Sequence, residues 1–167
     1  MISTRRLKKR KGQGLVEFAL VFPVLMLLLF ATIELGWVAF SYNQIFNALR
    51  EGLRYASVPG TNAAYKQYTA CDAMRSYLVS QAGLVGVKAS DITVTYDNGN
   101  PSTTVGTCPA GTNTPTVTIA NGNRIFIEVK GNIHFLTPFF QVFATNGFNI
   151  DLKGSRSIFP DGIAALG

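Results

Sequence analysis

Residues 12–23 read GQGLVEFALVFP, and the apolar sequence that they open continues to Phe40 with one interruption at Glu34. Charged side chains are absent between Glu17 and Glu34. At about 1.5 Å per residue, a helix over residues 15–40 would measure roughly 39 Å, which is more than a bilayer core of about 30 Å requires. The segment therefore predicts a tilted transmembrane helix over about residues 15–40.

Positive charge is concentrated at the N-terminus. Residues 1–12 hold six of the fifteen Lys and Arg residues, and the rest of the chain balances nine basic against nine acidic residues. A nucleic-acid surface would need a basic stripe through the folded domain, so we expect no nucleic-acid partner. Basic residues beside a span stay in the cytoplasm, which predicts a single-pass protein of the cytoplasmic membrane with its N-terminus inside and its C-terminal domain outside.

A cleaved secretory signal peptide is the alternative for this N-terminus. Its apolar region would be about 7–15 residues long and would be followed by a small-x-small cleavage site. The apolar run here is longer, and residues 30–36, FATIELG, lack such a site. A retained helix is the better interpretation.

Two cysteines, Cys71 and Cys108, lie beyond the span. Cysteine pairs in small domains outside the cytoplasm are usually disulfides, so we expect a Cys71–Cys108 disulfide. The one histidine, His134, has no partner pattern for a metal site or for nucleophilic catalysis. The glycine-rich stretches lack phosphate-binding or dinucleotide-binding spacing. The sequence thus predicts no metal, no cofactor, no catalytic residue and no enzymatic activity.

The helix is expected to continue beyond the membrane. Ile45, Leu49 and Leu53 recur every four residues with polar side chains between them, which indicates an amphipathic second half. Pro23 lies inside the helix, where membrane proteins tolerate it. The sequence Val-Pro-Gly at residues 58–60 is a strong stop, so the predicted long helix covers residues 13–57.

The remaining residues, 58–167, predict one extracytoplasmic domain behind the basic leader (1–12) and the helix. The expected elements are a second helix at about 63–82, a strand at 91–96, a loop to residue 114, a hairpin of 116–120 with 124–130, and a last strand at 148–153. The aromatic segment 135–143 is expected to supply core, with a docking patch as the alternative. The fold class is α+β: a long N-terminal membrane-spanning helix, a second helix and a small antiparallel sheet.

Glu17 is the residue on which the functional interpretation depends. An unpaired carboxylate in an apolar segment is costly, so an acid at this position is a functional candidate. It could equally lie at the level of the lipid headgroups, because only two residues separate it from Gly14. The residues alone leave both possibilities open.

The N-terminal block resembles prepilins of the type IV superfamily. In the Flp/Tad branch the processing motif is Gly, four residues, then Glu-Tyr, and here Gly12 is followed after four residues by Glu17 and Phe18. The stretch VEFALVFP, the later IELG around Glu34, and REGLRYA at 50–56 together resemble TadE-like pseudopilins over roughly the first 56 residues. The chain is much longer than the main Flp pilin and carries Phe18 in place of its Tyr, which favours a minor pilin.

The resemblance implies that a prepilin peptidase cuts between Gly12 and Gln13. It also implies that Glu17, at the fifth mature position, offsets the new amine of a neighbouring subunit. Cleavage at Gly14 would put Glu17 at the third position, out of register for that pairing. Phe18, Pro23 and Glu34 are then motif neighbours, and we expect Glu34 to lie at the outer interface beside Trp37 rather than against a partner helix.

The predicted function is a minor pilin or pseudopilin that acts as a structural or assembly component of a Tad-type pilus or secretion apparatus. The implied partners are other pilins, the prepilin peptidase, the inner-membrane assembly platform and the lipid bilayer, and incorporation into an extracellular pilus stays open. The alternative is an unprocessed, single-span anchored module for binding or adhesion outside the cytoplasm.

Overall fold

The structure is a computed structural model that describes residues 12–58, 66–99, 103–143, 145 and 147–159. Its longest element is α1 (Gln13–Ser57), which is continuous through Pro23. The face predicted to be buried in the second half of α1 is confirmed, because Ile45, Leu49 and Leu53 are all buried. The first half of α1 has no such buried stripe.

A four-stranded antiparallel sheet packs beside the second half of α1 in the described part of the chain. Its strands are β1 (Ile92–Asp97), β2 (Thr104–Cys108), β3 (Arg124–Ile133) and β4 (Phe148–Ser157), in the order β2-β1-β3-β4. Two helices join them: α2 (Cys71–Gln81) packs on α1, and the short α3 (Pro138–Phe143) lies between β3 and β4. The predicted α+β class is confirmed.

Alternation along β3 places the core between the sheet and the two longer helices. Its inward residues, from Ile125 to Ile133, are buried at every second position. They meet Met74 and Leu78 of α2 and the buried face of α1 in one cluster. We call this unit, the sheet with α2 and the second half of α1, the α+β domain.

Three elements differ from the sequence prediction. The second helix begins at Cys71, because residues 67–69 form a 3₁₀ turn in which the Thr69 hydroxyl donates to the Lys66 carbonyl; residues 63–65 lie outside the described part. Residues 104–108, expected in a loop, form β2 on β1. Residues 116–120 form no strand, and β3 pairs with β1 and β4 instead.

A side-chain hydrogen bond explains the missing hairpin strand. The Thr107 N–H donates to the Thr116 hydroxyl at 2.9 Å, and the Thr116 N–H donates to the Thr107 carbonyl at 2.9 Å. Threonine hydroxyls compete with backbone groups in this way, so the segment follows β2 without continuing the ladder.

The predicted disulfide between Cys71 and Cys108 is present and joins α2 to β2. Beside it, the Arg75 guanidinium is only 4% exposed and donates to three carbonyls, those of Ile92, Cys108 and Pro109. The Tyr96 hydroxyl contacts the Cys108 sulfur and donates to the Tyr68 carbonyl at 2.5 Å. Burial raises the pKa of Tyr96, so its hydroxyl stays protonated as a donor.

An ion pair closes the other end of β1. Arg124 donates to both carboxylate oxygens of Asp97, at 2.8 and 3.3 Å, and the Gly99 N–H donates to the same carboxylate. The hydrogen bond from Arg124 holds the pKa of Asp97 below its usual value, against the opposing effect of burial. The turn after β1 is therefore fixed to β3.

Gly52 lets α2 approach α1 closely, and its replacement should be costly. A Cβ on Gly52 would lie 2.3 Å from Leu78 Cδ2, whereas a Cβ on Gly36 would meet nothing within 4 Å. Overpacking costs about 1–3 kcal/mol, partly offset by a gain of up to about 1 kcal/mol in helix propensity. We expect Gly52→Ala to lower the midpoint of thermal unfolding in detergent and Gly36→Ala, which gains helix propensity without crowding, not to lower it. Equal midpoints for the two variants would contradict the close contact.

Candidate functional site: the exposed N-terminal helix

The first half of α1 presents apolar side chains outwards on almost every side. The most apolar window of this helix contains no buried residue, and the helix is long and apolar enough to be a candidate membrane span. Large exposed side chains line it from Leu15 to Leu35. Such a continuous apolar surface needs a cover of lipid or of other apolar helices.

Gly12, Gln13 and Glu17 lie together at the start of this helix. Gly12 is the N-cap and Gln13 the first helical residue. Among the described residues, a Cβ on Gly12 would meet nothing within 4 Å, so none of them blocks the backbone at the Gly12–Gln13 bond on that side. Glu17 is exposed, and its carboxylate accepts a hydrogen bond of 3.4 Å from the Gln13 side chain one turn earlier. Positions 13 and 17 thus share one side of the helix.

The motif neighbours Phe18 and Pro23 belong to the same exposed surface. The Phe18 ring lies against that of Phe22, with centroids 5.4 Å apart. Pro23 stands inside α1 without ending it. Membrane helices tolerate such a proline, since neighbouring groups can satisfy the freed carbonyl.

Glu34 is in a different setting from Glu17. It is 3% exposed, and neither carboxylate oxygen has a hydrogen-bond partner within the described residues. The hydroxyls of Ser41 on the same helix and Thr137 before α3 are also buried without a described partner. The sequence analysis expected Glu34 at the membrane interface beside Trp37. It did not predict that the protein itself encloses the Glu34 side chain.

The segment after β3 is attached to α1 one turn beyond Glu34. The Trp37 indole Nε1 donates to the His134 carbonyl at 3.1 Å, and the His134 side chain is exposed. Across the described ranges, no group of three or more His, Cys, Asp or Glu side chains is placed to hold a metal ion.

The expectation that aromatic segment 135–143 supplies core is wrong for Phe135, Phe139 and Phe140; the side chain of Phe143 lies outside the described residues. Phe139 is exposed and Phe135 and Phe140 are only half-buried. None of these three rings belongs to the buried core cluster. Aromatic composition alone did not distinguish a core segment from one that lies at the end of the sheet.

The structure therefore brings Gly12, Gln13 and Glu17 together, with Phe18 and Pro23 on the same exposed half of α1, and leaves Glu34 and the disulfide apart. Glu34 is seventeen residues from Glu17, which corresponds to about 26 Å along a helix. The disulfide lies in the α+β domain, away from the exposed half of α1. The candidate site among the described residues is the exposed apolar half of α1, with Glu17 one turn after its first residue.

These features define a class: an α+β protein that has, within the described ranges, one candidate membrane-spanning helix, which continues into its domain. Residues 12–54 match the model of a protein family described as TadE-like protein. This match covers nearly all of α1 and supports the interpretation of the chain as a TadE-like protein of the Flp/Tad pilus system. No curated protein and no solved structure matches the chain.

Proposed function

We propose that this chain is a minor pilin or pseudopilin, a structural or assembly component of a Tad-type pilus or secretion apparatus. The observation that carries the proposal is the Gly12–Glu17 spacing at the start of an exposed apolar helix that matches the TadE-like family. The proposed role is mechanical and structural, not enzymatic.

Processing is the first step of the proposed function. A prepilin peptidase would cut after Gly12, where the open backbone permits close approach. Cleavage would remove the six leader charges, which include every basic residue before Arg50, and would create one new amine on Gln13. The mature helix would then begin with that amine and carry Glu17 one turn later on the same side.

The second step is association through α1. In the bilayer the exposed apolar half of α1 would be covered by lipid, and in an assembly by the corresponding helices of other pilins. Glu17 is exposed, and its one hydrogen bond to a described residue is the long contact with Gln13, so its carboxylate would be available to the amine of a neighbouring subunit. An opposite charge offsets the cost of placing both groups in an apolar environment.

The N-terminal residue of the protein isolated from its own membranes tests the processing step. We expect intact mass or terminal sequencing to show a mature chain that begins at Gln13. A Gly12→Val variant, which places a branched side chain at the cleavage site, should accumulate with its leader. A wild-type chain that begins at Met1 would contradict processing and favour the unprocessed, membrane-anchored binding module.

A further inference from the structure

The C-terminal end of β3 is directed along α1 toward the apolar half of that helix. A Cβ on Gly154 would lie 2.6 Å from Leu53 Cδ1, and Gly154 is paired with Ile127 of β3. A Cβ on Gly131 would lie 2.8 Å from Ile45 Cδ1. From Leu53 to Ile45 a helix rises about 12 Å, and from residue 127 to 131 a strand rises about 13 Å. β3 therefore runs beside α1 in the opposite direction.

The segment that follows β3 continues in this direction. We call residues 134–143 the tip. It is held at the level of Trp37 by the bond from the indole to the His134 carbonyl. Glu34, one turn closer to the N-terminus, is buried although its neighbours Ile33 and Leu35 are exposed. Positions 34 and 37 are three residues apart on the helix, so Glu34 lies on the same side of α1 as the bond to the tip.

The outer side of the tip is apolar. Leu136, Phe139 and Val142 are spaced three residues apart and are 52%, 53% and 76% exposed. Phe135 and Phe140 are half-buried. Residues 131–150 contain no Lys, Arg, Asp or Glu, in a chain of which 14% is charged. The tip thus adds an exposed, uncharged apolar patch beside the apolar half of α1.

The position of this patch matches the edge of a bilayer. A hydrocarbon core of about 30 Å corresponds to about 20 helical residues. A span that begins at Leu15 would end near Glu34, and a span that begins after Glu17 would end near Trp37. In both cases the membrane boundary falls where the tip meets α1, with an aromatic residue of the type found at membrane interfaces.

We propose that the tip is a second membrane contact, inserted through Leu136, Phe139 and Val142 into the phospholipid interface of the leaflet distal to the N-terminus. The α+β domain then stands directly on the bilayer, and the tip separates Glu34 from the acyl chains. Apolar faces of interfacial segments are buried about 5–10 Å into the boundary of headgroups and acyl chains. This inference rests on α1 spanning the membrane, but not on leader processing or pilus assembly.

Spin-label accessibility in the full-length protein tests the proposal. Both native cysteines are in the disulfide, so a single introduced cysteine is labelled selectively. Val142→Cys reports on the tip, Leu28→Cys on the span, and Val105→Cys on an exposed position at the far end of the sheet. The three proteins are reconstituted separately into vesicles of phosphatidylethanolamine and phosphatidylglycerol.

We expect the label at position 142 to report an environment between those of positions 28 and 105. Since an interfacial segment lies at the boundary of headgroups and acyl chains, the ratio of its accessibility to oxygen over a water-soluble nickel chelate should exceed the ratio at position 105 by about threefold or more. Adding Phe139→Ser to Val142→Cys should reduce this ratio towards the value at position 105.

Two results would overturn the proposal. If position 142 behaves like position 105 while position 28 reports lipid, the tip faces water although α1 is anchored. If position 142 is inaccessible to both reagents and its spectrum broadens as the protein-to-lipid ratio rises, the tip contacts a second copy of the chain and not lipid. A water-accessible label at position 28 would instead show that α1 does not span the membrane, which would also contradict the proposed function.

Discussion

Replacing Glu17 by alanine is expected to leave the protein in the membrane and to abolish its association with other pilins. The substitution adds apolar character to a helix that is already a candidate span, so insertion should be unaffected. The amine of the neighbouring subunit would, however, lose its counter-charge. Leaving one partner of a buried pair unpaired costs about 3–5 kcal/mol, which corresponds to an association at least about a hundredfold weaker.

The measurement is the recovery of the protein with the assembled apparatus, compared with its amount in the membrane. Glu51→Ala is the matched control, because it removes an exposed carboxylate from the same helix outside the apolar half. The control should assemble like the wild type. Normal assembly of Glu17→Ala would contradict the hypothesis that Glu17 pairs with the amine of a neighbouring subunit. Loss of the protein from the membrane would instead assign Glu17 a role in insertion.

Removing the disulfide should cause the largest loss of stability in the α+β domain. Cys71 and Cys108 are separated by 37 positions, so the closed loop is long. A loop of this length contributes about 4 kcal/mol through the entropy of the unfolded chain. For a domain of this size such a loss lowers the midpoint of thermal unfolding by on the order of 20 °C.

The double variant Cys71→Ala/Cys108→Ala in detergent, with reduced wild-type protein beside it, measures this effect. Both samples should unfold at similar, lowered temperatures. The native fold should survive at low temperature, because Arg75 still joins α2 to the carbonyls of Ile92, Cys108 and Pro109. A loss below about 1 kcal/mol would mean that these hydrogen bonds, and not the disulfide, hold α2 to the sheet.

The sequence alone predicted those elements whose structure is determined by a local pattern of residues. The long helix and its division into an apolar and an amphipathic half follow from residue spacing, and Ile45, Leu49 and Leu53 are buried as that spacing predicts. Residue spacing also predicted the strands β1, β3 and β4, although β4 extends beyond its predicted end to Ser157. The disulfide followed from cysteine count and from the predicted location outside the cytoplasm.

Features that depend on distant contacts were not predictable. β2 lies in a stretch of Thr, Gly and Pro, and becomes a strand because β1 and the disulfide hold it. β3 pairs with β1 and β4, which are distant in the sequence. The nearby Asn-Gly turn therefore led to the wrong prediction of a hairpin. Glu34 is buried on the side of α1 where Trp37 bonds to His134, about a hundred residues later in the chain. No local signal indicates such a contact, and only the absence of charge over residues 131–150 marks the tip.

The continuity of α1 has a consequence for how the protein carries tension. The helix is unbroken from Gln13 to Ser57, and β3 lies alongside its second half in the opposite direction. A pull on the N-terminal half along the axis therefore loads the interface with the sheet in shear. Under shear the contacts at Ile45, Leu49 and Leu53 resist together rather than one after another. If the proposed assembly draws the anchor out of the bilayer, the domain would remain folded and would move with the helix as one rigid body.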